Sequence, residues 1–244
     1  MLNRIQALLG HKLAAFDGTI GHVKDFYFDD HSWVVRYVVV DTGDWLPGRL
    51  VLLTPHALGR WDREAKVLDV KLTKHQIERS PSVDAHQPVS RQYEIDHYRY
   101  YGWPAYWEGA AMWGLGGFPA VLPPSKEELE AQQDRPHAHR VEKHLRSTNA
   151  VQGYAIEGRD GGLGQLSGFM LDDKSWAIRE LAVEAGHWYA GKEILIAPDQ
   201  VERINDDDSK IHVKLTQAEI RATAAHHLAH SAAGQSVAGD FPRE

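Results

Sequence analysis

The sequence contains no cysteine, and this absence excludes three kinds of chemistry. Disulfide bonds, thiolate nucleophiles and cysteine-based zinc sites all require a thiol. Chains without disulfides are typical of reducing compartments, so we expect a cytoplasmic protein. The apolar stretch within residues 1–10 is too short for a signal peptide, which agrees with that expectation.

Long apolar runs and an excess of basic residues are also missing. No apolar run approaches the roughly 18 residues of a membrane-spanning helix, so we expect no direct membrane insertion. The formal net charge is −7, which makes nucleic acid and anionic lipid poor partners. Hydrophobic residues make up 43% of the chain and charged residues 25%, as in an ordinary globular protein.

Motifs for catalysis, nucleotides and metals are missing as well. The glycine-rich segment 162–168 lacks the third glycine of a dinucleotide fingerprint, and it places Ser167 one position away from a nucleophile elbow. No P-loop, HExxH or EF-hand pattern occurs. His226 and His230 have the i, i+4 spacing of a shared metal site, but we favour a solvated helix end. We therefore expect a protein that is not an enzyme and that has no cofactor and no metal.

The most informative feature present is an internal repeat. Residues 10–78 align with residues 153–221 at an offset of 143, without a gap. Matches at turns, aromatic residues and strand ends indicate one small fold used twice. We predict a first domain over residues 1–80, a linker over 81–150, a second domain over 151–230 and a disordered tail over 231–244. The matched pairs include Asp17 with Asp160, Trp33 with Trp176, Trp45 with Trp188 and Thr73 with Thr216.

Each copy has the pattern of short β-strands followed by a helix. About six strands that close on themselves would give a small β-barrel without exposed edges. Trp33 and Trp176 open the most apolar strand directly after a polar turn, so we expect both side chains to be largely buried. In the first copy this strand is apolar on both faces, which predicts a cover from the linker or the other copy. Thr73 and Thr216 have capping-box spacing at the start of the helix.

The linker is rich in aromatic residues from Tyr93 to Trp113, and its glycines and prolines from Gly102 onward predict that this whole stretch is irregular. We expect its aromatic side chains to pack on the undersized barrels. The alternative is a docking surface for a partner protein. The candidate interaction surface consists of Trp45, Trp188, Tyr100, Tyr101, Trp103, Tyr106 and Trp107.

Four segments of the first copy carry a resemblance to a known family. They are Asp17–Gly21, Phe26–Asp30, Trp33–Thr42 and Trp45–Arg49. With these residues the chain resembles the PRC-barrel family, and Tyr100–Pro104 is also typical of bacterial tandem PRC-barrel proteins. The second copy departs from the pattern at Glu184-Ala185 and at Ala190.

The resemblance implies two small PRC-type β-barrels, each followed by a short helix, that serve as an interaction or assembly module. The family includes the cytoplasmic domain of the photosynthetic reaction-centre H subunit and the C-terminal domain of a ribosome-maturation factor. We expect an unidentified protein partner or a homo-oligomer. One alternative is a small-molecule binder or enzyme with a site between the barrels, near His97 or His187. A second alternative is an RNA-linked or ribosome-linked assembly factor.

Overall fold

The computed structural model of the chain describes residues 1–81, 89–107, 145–189 and 192–222. These residues are mainly β and form two seven-stranded sheets. The predicted tail, residues 82–88 and 108–144 of the linker, and His226 with His230 lie outside the described residues.

The first copy of the repeat supplies six strands of one sheet. A short strand, β1 (Leu2–Arg4), precedes it. The six strands have the order β5-β4-β3-β2-β7-β6, in which β2 and β7 are parallel and the other neighbours antiparallel. Helix α1 (Lys74–Glu78) follows, and the linker adds helix α2 (Arg91–Tyr101). The strands are β2 (Lys12–Ala15), β3 (Gly18–Asp29), β4 (Val34–Asp41), β5 (Leu50–Leu53), β6 (Leu58–Asp62) and β7 (Val67–Val70).

The second copy repeats this order. Strand β8 (Leu145–Ser147) and helix α3 (Thr148–Val151) precede it. Its strands follow the order β12-β11-β10-β9-β14-β13, and all but β11 begin and end 143 residues after their counterparts. The predicted equivalence of the two copies is confirmed. The strands are β9 (Ala155–Gly158), β10 (Gly161–Asp172), β11 (Ile178–Ala185), β12 (Glu193–Ile196), β13 (Val201–Asn205) and β14 (Lys210–Val213).

The pairing of the described strands leaves each sheet with two ends. One path ends at β5 and β6, and the other ends at β12 and β13. Closure of either sheet into a barrel therefore stays a prediction.

The chain divides into two compact units that do not follow the repeat. Of the described residues, the first unit holds those within 1–150 together with 170–179, and the second holds those within 151–169 and from 180 onward. The tip of the β10–β11 hairpin thus belongs with the first unit.

Contacts within the first unit come in pairs related by the 143-residue offset. Strand β1 pairs with Met170–Asp172, and β8 pairs with Tyr27–Asp29. Val34 forms a bridge with Ala177, the residue at its own equivalent position. The chain segment before each copy therefore pairs with a hairpin of the other copy, which local sequence patterns do not indicate.

Both predicted tryptophans are buried. Trp33 is 8% exposed and Trp176 is 7% exposed, which confirms the expectation. The Trp33 ring stacks on Phe28 with centroids 5.4 Å apart. Both tryptophans have a left-handed backbone, with φ of 56° and 57°. Such values are rare for bulky residues, and the polar turns before β4 and β11 hold both of them there.

The capping boxes are also present as predicted. The Thr73 hydroxyl accepts from the Gln76 N–H, and the Gln76 side chain accepts from the Thr73 N–H. Thr216 and Glu219 make the same pair of bonds. The expectation of an irregular linker was wrong for residues 91–101. Helix α2 forms there because the Ser90 hydroxyl accepts from the Tyr93 N–H, and the glycine that was taken as a breaker supplies its left-handed C-cap.

Candidate functional site

Helix α2 covers the outer face of β4 and β5. His97 Nε2 donates to the carbonyl oxygen of Leu52, 2.9 Å away. The Tyr37 ring lies edge-on to the rings of His97 and Tyr98, with centroids 5.5 and 6.4 Å apart. Tyr37 and Leu52 are at most 1% exposed. The expected cover on this strand is therefore confirmed for the described part of the linker.

A buried carboxylate joins the helix to the sheet. Glu94 has no exposed surface. It accepts hydrogen bonds from the hydroxyls of Tyr106 at 2.5 Å and Tyr37 at 3.3 Å. Arg91 contributes an ion pair with an N–O distance of 2.9 Å. Because a buried charge is costly without partners, these groups act together as a lock that fixes α2 in place.

Arg36 lies beside this lock. The arginine is 2% exposed and pairs with Asp29 at 3.3 Å. Its guanidinium lies 3.9 Å from the centroid of the Tyr106 ring. Burial opposes ionisation of Asp29, but the His31 N–H and the charge of Arg36 outweigh it and lower the pKa of this carboxyl. The arginine thus has the structural role of a charge paired within the fold.

Two histidines near the contact of α2 with the sheet, His97 and His56, are held neutral by burial. Burial lowers the pKa of His97 to about 4, against the opposing effect of its hydrogen bond to Leu52. Burial also lowers the pKa of His56 to about 4, with added repulsion from Arg36 and Lys71. Perturbed histidines occur at catalytic sites, but here the rings are enclosed by other aromatic rings, which indicates packing. His187, the other histidine of the alternative site, is exposed.

The linker residues of the candidate surface differ in exposure. Tyr106 is buried, so its contacts are internal. Tyr100 is 41% exposed, and its hydroxyl donates to the Gln76 carbonyl. Tyr101 and Trp103 are half-buried and stack on each other with centroids 4.3 Å apart. Trp107 is half-buried against Arg91. A partner could therefore reach four of these five side chains.

The two loop tryptophans are half-buried at equivalent positions. The Lys74 ammonium lies 4.6 Å from the centroid of the Trp45 ring. The Arg221 guanidinium lies 5.3 Å from the Trp188 ring, and Trp188 Nε1 donates to the Leu163 carbonyl at 2.7 Å. Each ring is thus held on its own unit by a basic residue that follows the last strand of its copy, with part of its surface exposed.

One group of residues has the composition of a metal site. Among the described residues, Asp29, Asp30 and His31 place their ligand atoms within 4.8 Å of one another. Asp29 pairs with Arg36, and Asp30 pairs with Arg146 at 2.5 Å. Arginine partners neutralise both carboxylates, and the turn uses Asp29 to accept from the His31 N–H. The expectation of a structural turn at this position fits these contacts.

No protein-family model and no curated protein matches the sequence. Within the described residues, no helix combines the length and apolarity needed to cross a bilayer.

Sequence reasoning missed the lock around Glu94. The signal that was available is the i, i+3 spacing of Arg91 and Glu94 after Ser90, which is a helix-start pattern. It was obscured by the density of aromatic residues, which suggested an irregular segment.

Proposed function

We propose that the chain is a non-enzymatic interaction or assembly module of the cytoplasm, built from two PRC-like barrels. The observation that carries this proposal is the pair of half-exposed tryptophans, Trp45 and Trp188, at equivalent loop positions. Tryptophan is enriched at the energetic centres of protein interfaces. A ring that a neighbouring cation already holds in place loses little conformational freedom on binding, which favours affinity.

The described contacts of the linker support the same proposal. The charged and aromatic residues of α2 bond to one another and to β4 and β5, which gives them a structural role. The stacked pair Tyr101 and Trp103 and the exposed Tyr100 would extend the contact surface of the first unit. The partner in this proposal is a protein, or a second copy of the chain.

The test compares the proteins retained by tagged full-length chain in its native host. The double variant Trp45→Ala/Trp188→Ala should lose the partners that the wild type retains, with its folding checked by circular dichroism. Trp61→Ala is the matched control, since Trp61 is also half-buried beside an arginine but has no tryptophan at the equivalent position, Ile204. Retention of every partner by the double variant would contradict the proposal. A bound metabolite in native mass spectrometry, with no protein partner, would favour the small-molecule alternative.

A further inference from the structure

The covered face of the first copy differs from its equivalent in the second copy. Under α2, Tyr37 on β4 has no exposed surface and Leu52 on β5 is 1% exposed. The equivalent positions in the second copy hold Glu180 on β11, which is half-buried, and Leu195 on β12, which is 51% exposed. Both sheets nevertheless have the same strand order. The strand order therefore does not require that this part of the sheet be enclosed, and α2 is an addition to it.

The contact of α2 with the sheet includes the buried ring of His97. Its Nε2 donates to the Leu52 carbonyl oxygen, so the neutral ring carries its hydrogen on Nε2. The other nitrogen, Nδ1, is buried and has no hydrogen-bond partner among the described residues. A protonated ring carries a second hydrogen at Nδ1, and that hydrogen would meet no acceptor while α2 is in place. The covered state therefore disfavours the charged form of His97.

The aromatic rings around His97 bring no negative charge to it. Five of them have centroids 5.0 to 6.1 Å from the centroid of the His97 ring. They belong to Tyr37, Tyr93, Tyr98, Tyr101 and Trp103. Burial raises the pKa of all four tyrosines, so none of them becomes an anion near neutral pH.

Charged side chains near this cluster have partners of their own. Glu94, three residues before His97 on α2, is engaged by the Arg91 guanidinium and by two tyrosine hydroxyls. The sheet side contributes Arg36 and Arg49, and each of them donates to acceptors of its own. As cations, neither of the two would attract a protonated ring.

His56 adds a second titratable ring on the sheet side of the contact. It lies in the turn after β5 and stacks on Trp103 with ring centroids 6.0 Å apart. Burial lowers the pKa of His56, and the charges of Arg36 and Lys71 lower it further. Removal of α2 together with Trp103 would expose this ring to water as well. His56 therefore acts in the same direction as His97.

We propose that α2 is a detachable cover of the outer face of β4 and β5, and that protonation of His97 releases it. In the open state water accepts hydrogen bonds from both ring nitrogens, so the open state binds the proton more tightly than the covered state. By linkage, the open fraction rises as the pH falls below about 6.5. The bonds of Glu94 must break on release, which keeps the open state minor at neutral pH. Release would uncover Tyr37, Val39 and Leu52, and it does not depend on the tryptophan surface proposed above.

The size of the effect follows from the pKa of His97 in the two states. This pKa is about 4 in the covered state and about 6.5 for a ring exposed to water. The open fraction should therefore rise about twentyfold between pH 7 and pH 5 through His97 alone.

Hydrogen exchange of the full-length wild type, followed by mass spectrometry at pH 7 and pH 5, measures this opening without a substitution. Each rate is divided by that of the unstructured chain at the same pH, which removes the intrinsic effect of acid on exchange. Amides of α2 should exchange at least about tenfold faster than those of β3 at both pH values, because α2 opens without the sheet. Between pH 7 and pH 5 the rate in α2 should rise about twentyfold or more. Equal protection of α2 and β3 would overturn the proposal, since α2 would then open only with the whole unit.

Variants assign the effect to one ring. In His97→Gln the rise in α2 between pH 7 and pH 5 should be smaller than in the wild type by a factor of about twenty. His75→Gln is the matched control, since His75 is an exposed histidine on α1, and it should show the wild-type rise. Leu52→Cys keeps His97, and modification of its thiol, relative to the denatured protein, should also accelerate about twentyfold. An equal rise in wild type and His97→Gln, or no acceleration at the thiol, would overturn the proposal.

Discussion

Acid should weaken the first unit through the buried histidines His97 and His56, and His97→Gln should remove about half of the effect of this pair. The pKa of His97 and of His56 is about 4 in the folded protein, against about 6.5 in an unfolded chain. Between these values the unfolded chain binds one more proton per histidine than the folded chain. The contribution of the two histidines to the free energy of unfolding is therefore fully present above pH 6.5 and is lost as the pH falls toward 4.

The size of the effect follows from the width of the pH window. Each pH unit within it lowers the free energy of unfolding by about 1.4 kcal/mol per histidine. From pH 6.5 to pH 5, where carboxylates contribute little, the loss is about 2 kcal/mol per histidine. The glutamine side chain of His97→Gln places its amide nitrogen near the position of Nε2. It is therefore expected to keep the hydrogen bond to the Leu52 carbonyl without taking up a proton in this pH range.

Urea unfolding, followed by tryptophan fluorescence at several pH values from 7.5 to 5, measures this dependence. His97→Gln should show a slope smaller than the wild type by about 1.4 kcal/mol per pH unit. The lowered pKa of His11 acts in the same direction in both proteins, so the difference between them isolates His97. Equal slopes in the two proteins would refute the assignment of a buried neutral histidine on the sheet-facing side of α2.

Two further predictions concern folding stability. Trp33→Ala and Trp176→Ala should each lower the free energy of unfolding by about 3–5 kcal/mol in calorimetry, and a change near zero would mean that the ring is not buried. Gly21→Ala and Gly164→Ala should both prevent stable folding, because the new Cβ would lie 2.0 Å from the Asp41 carbonyl oxygen or 2.1 Å from that of Glu184. Gly162→Ala is the control, since there is open space where its Cβ would lie. A soluble, cooperatively folded Gly21→Ala would contradict the close approach.

The repeat made much of each copy predictable from the sequence. Gapless matches required equivalent backbones, and both sheets have the same strand order. The turn before Trp33 and the capping residues at Thr73 were predictable because they depend on neighbours within a few residues. These features are local, and they occur twice, so each copy supported the interpretation of the other.

The remaining features depend on contacts between distant parts of the chain. Strand β1 pairs with Met170–Asp172, but a three-residue strand is too short to show a sequence pattern that predicts this partner. The burial of Glu94 depends on Tyr37, which is 57 residues away. The exposure of Leu195 depends on what covers the face of β12, and the equivalent Leu52 gives the opposite answer. The sequence therefore predicted the two copies but not the different use of the same face.

The measurement that tests the central claim most directly is the thiol reactivity of Leu195→Cys and Leu52→Cys in the full-length chain. The natural sequence has no cysteine, so each variant carries a single thiol. Modification with a disulfide reagent should proceed at Cys in place of Leu195 nearly as fast as in denaturant. In Leu52→Cys the thiol lies beneath α2, and its modification should be slower by a factor of about 100 or more, since reaction there requires opening of the structure. Equal rates at the two positions would contradict an account in which one copy covers this face and the other presents it.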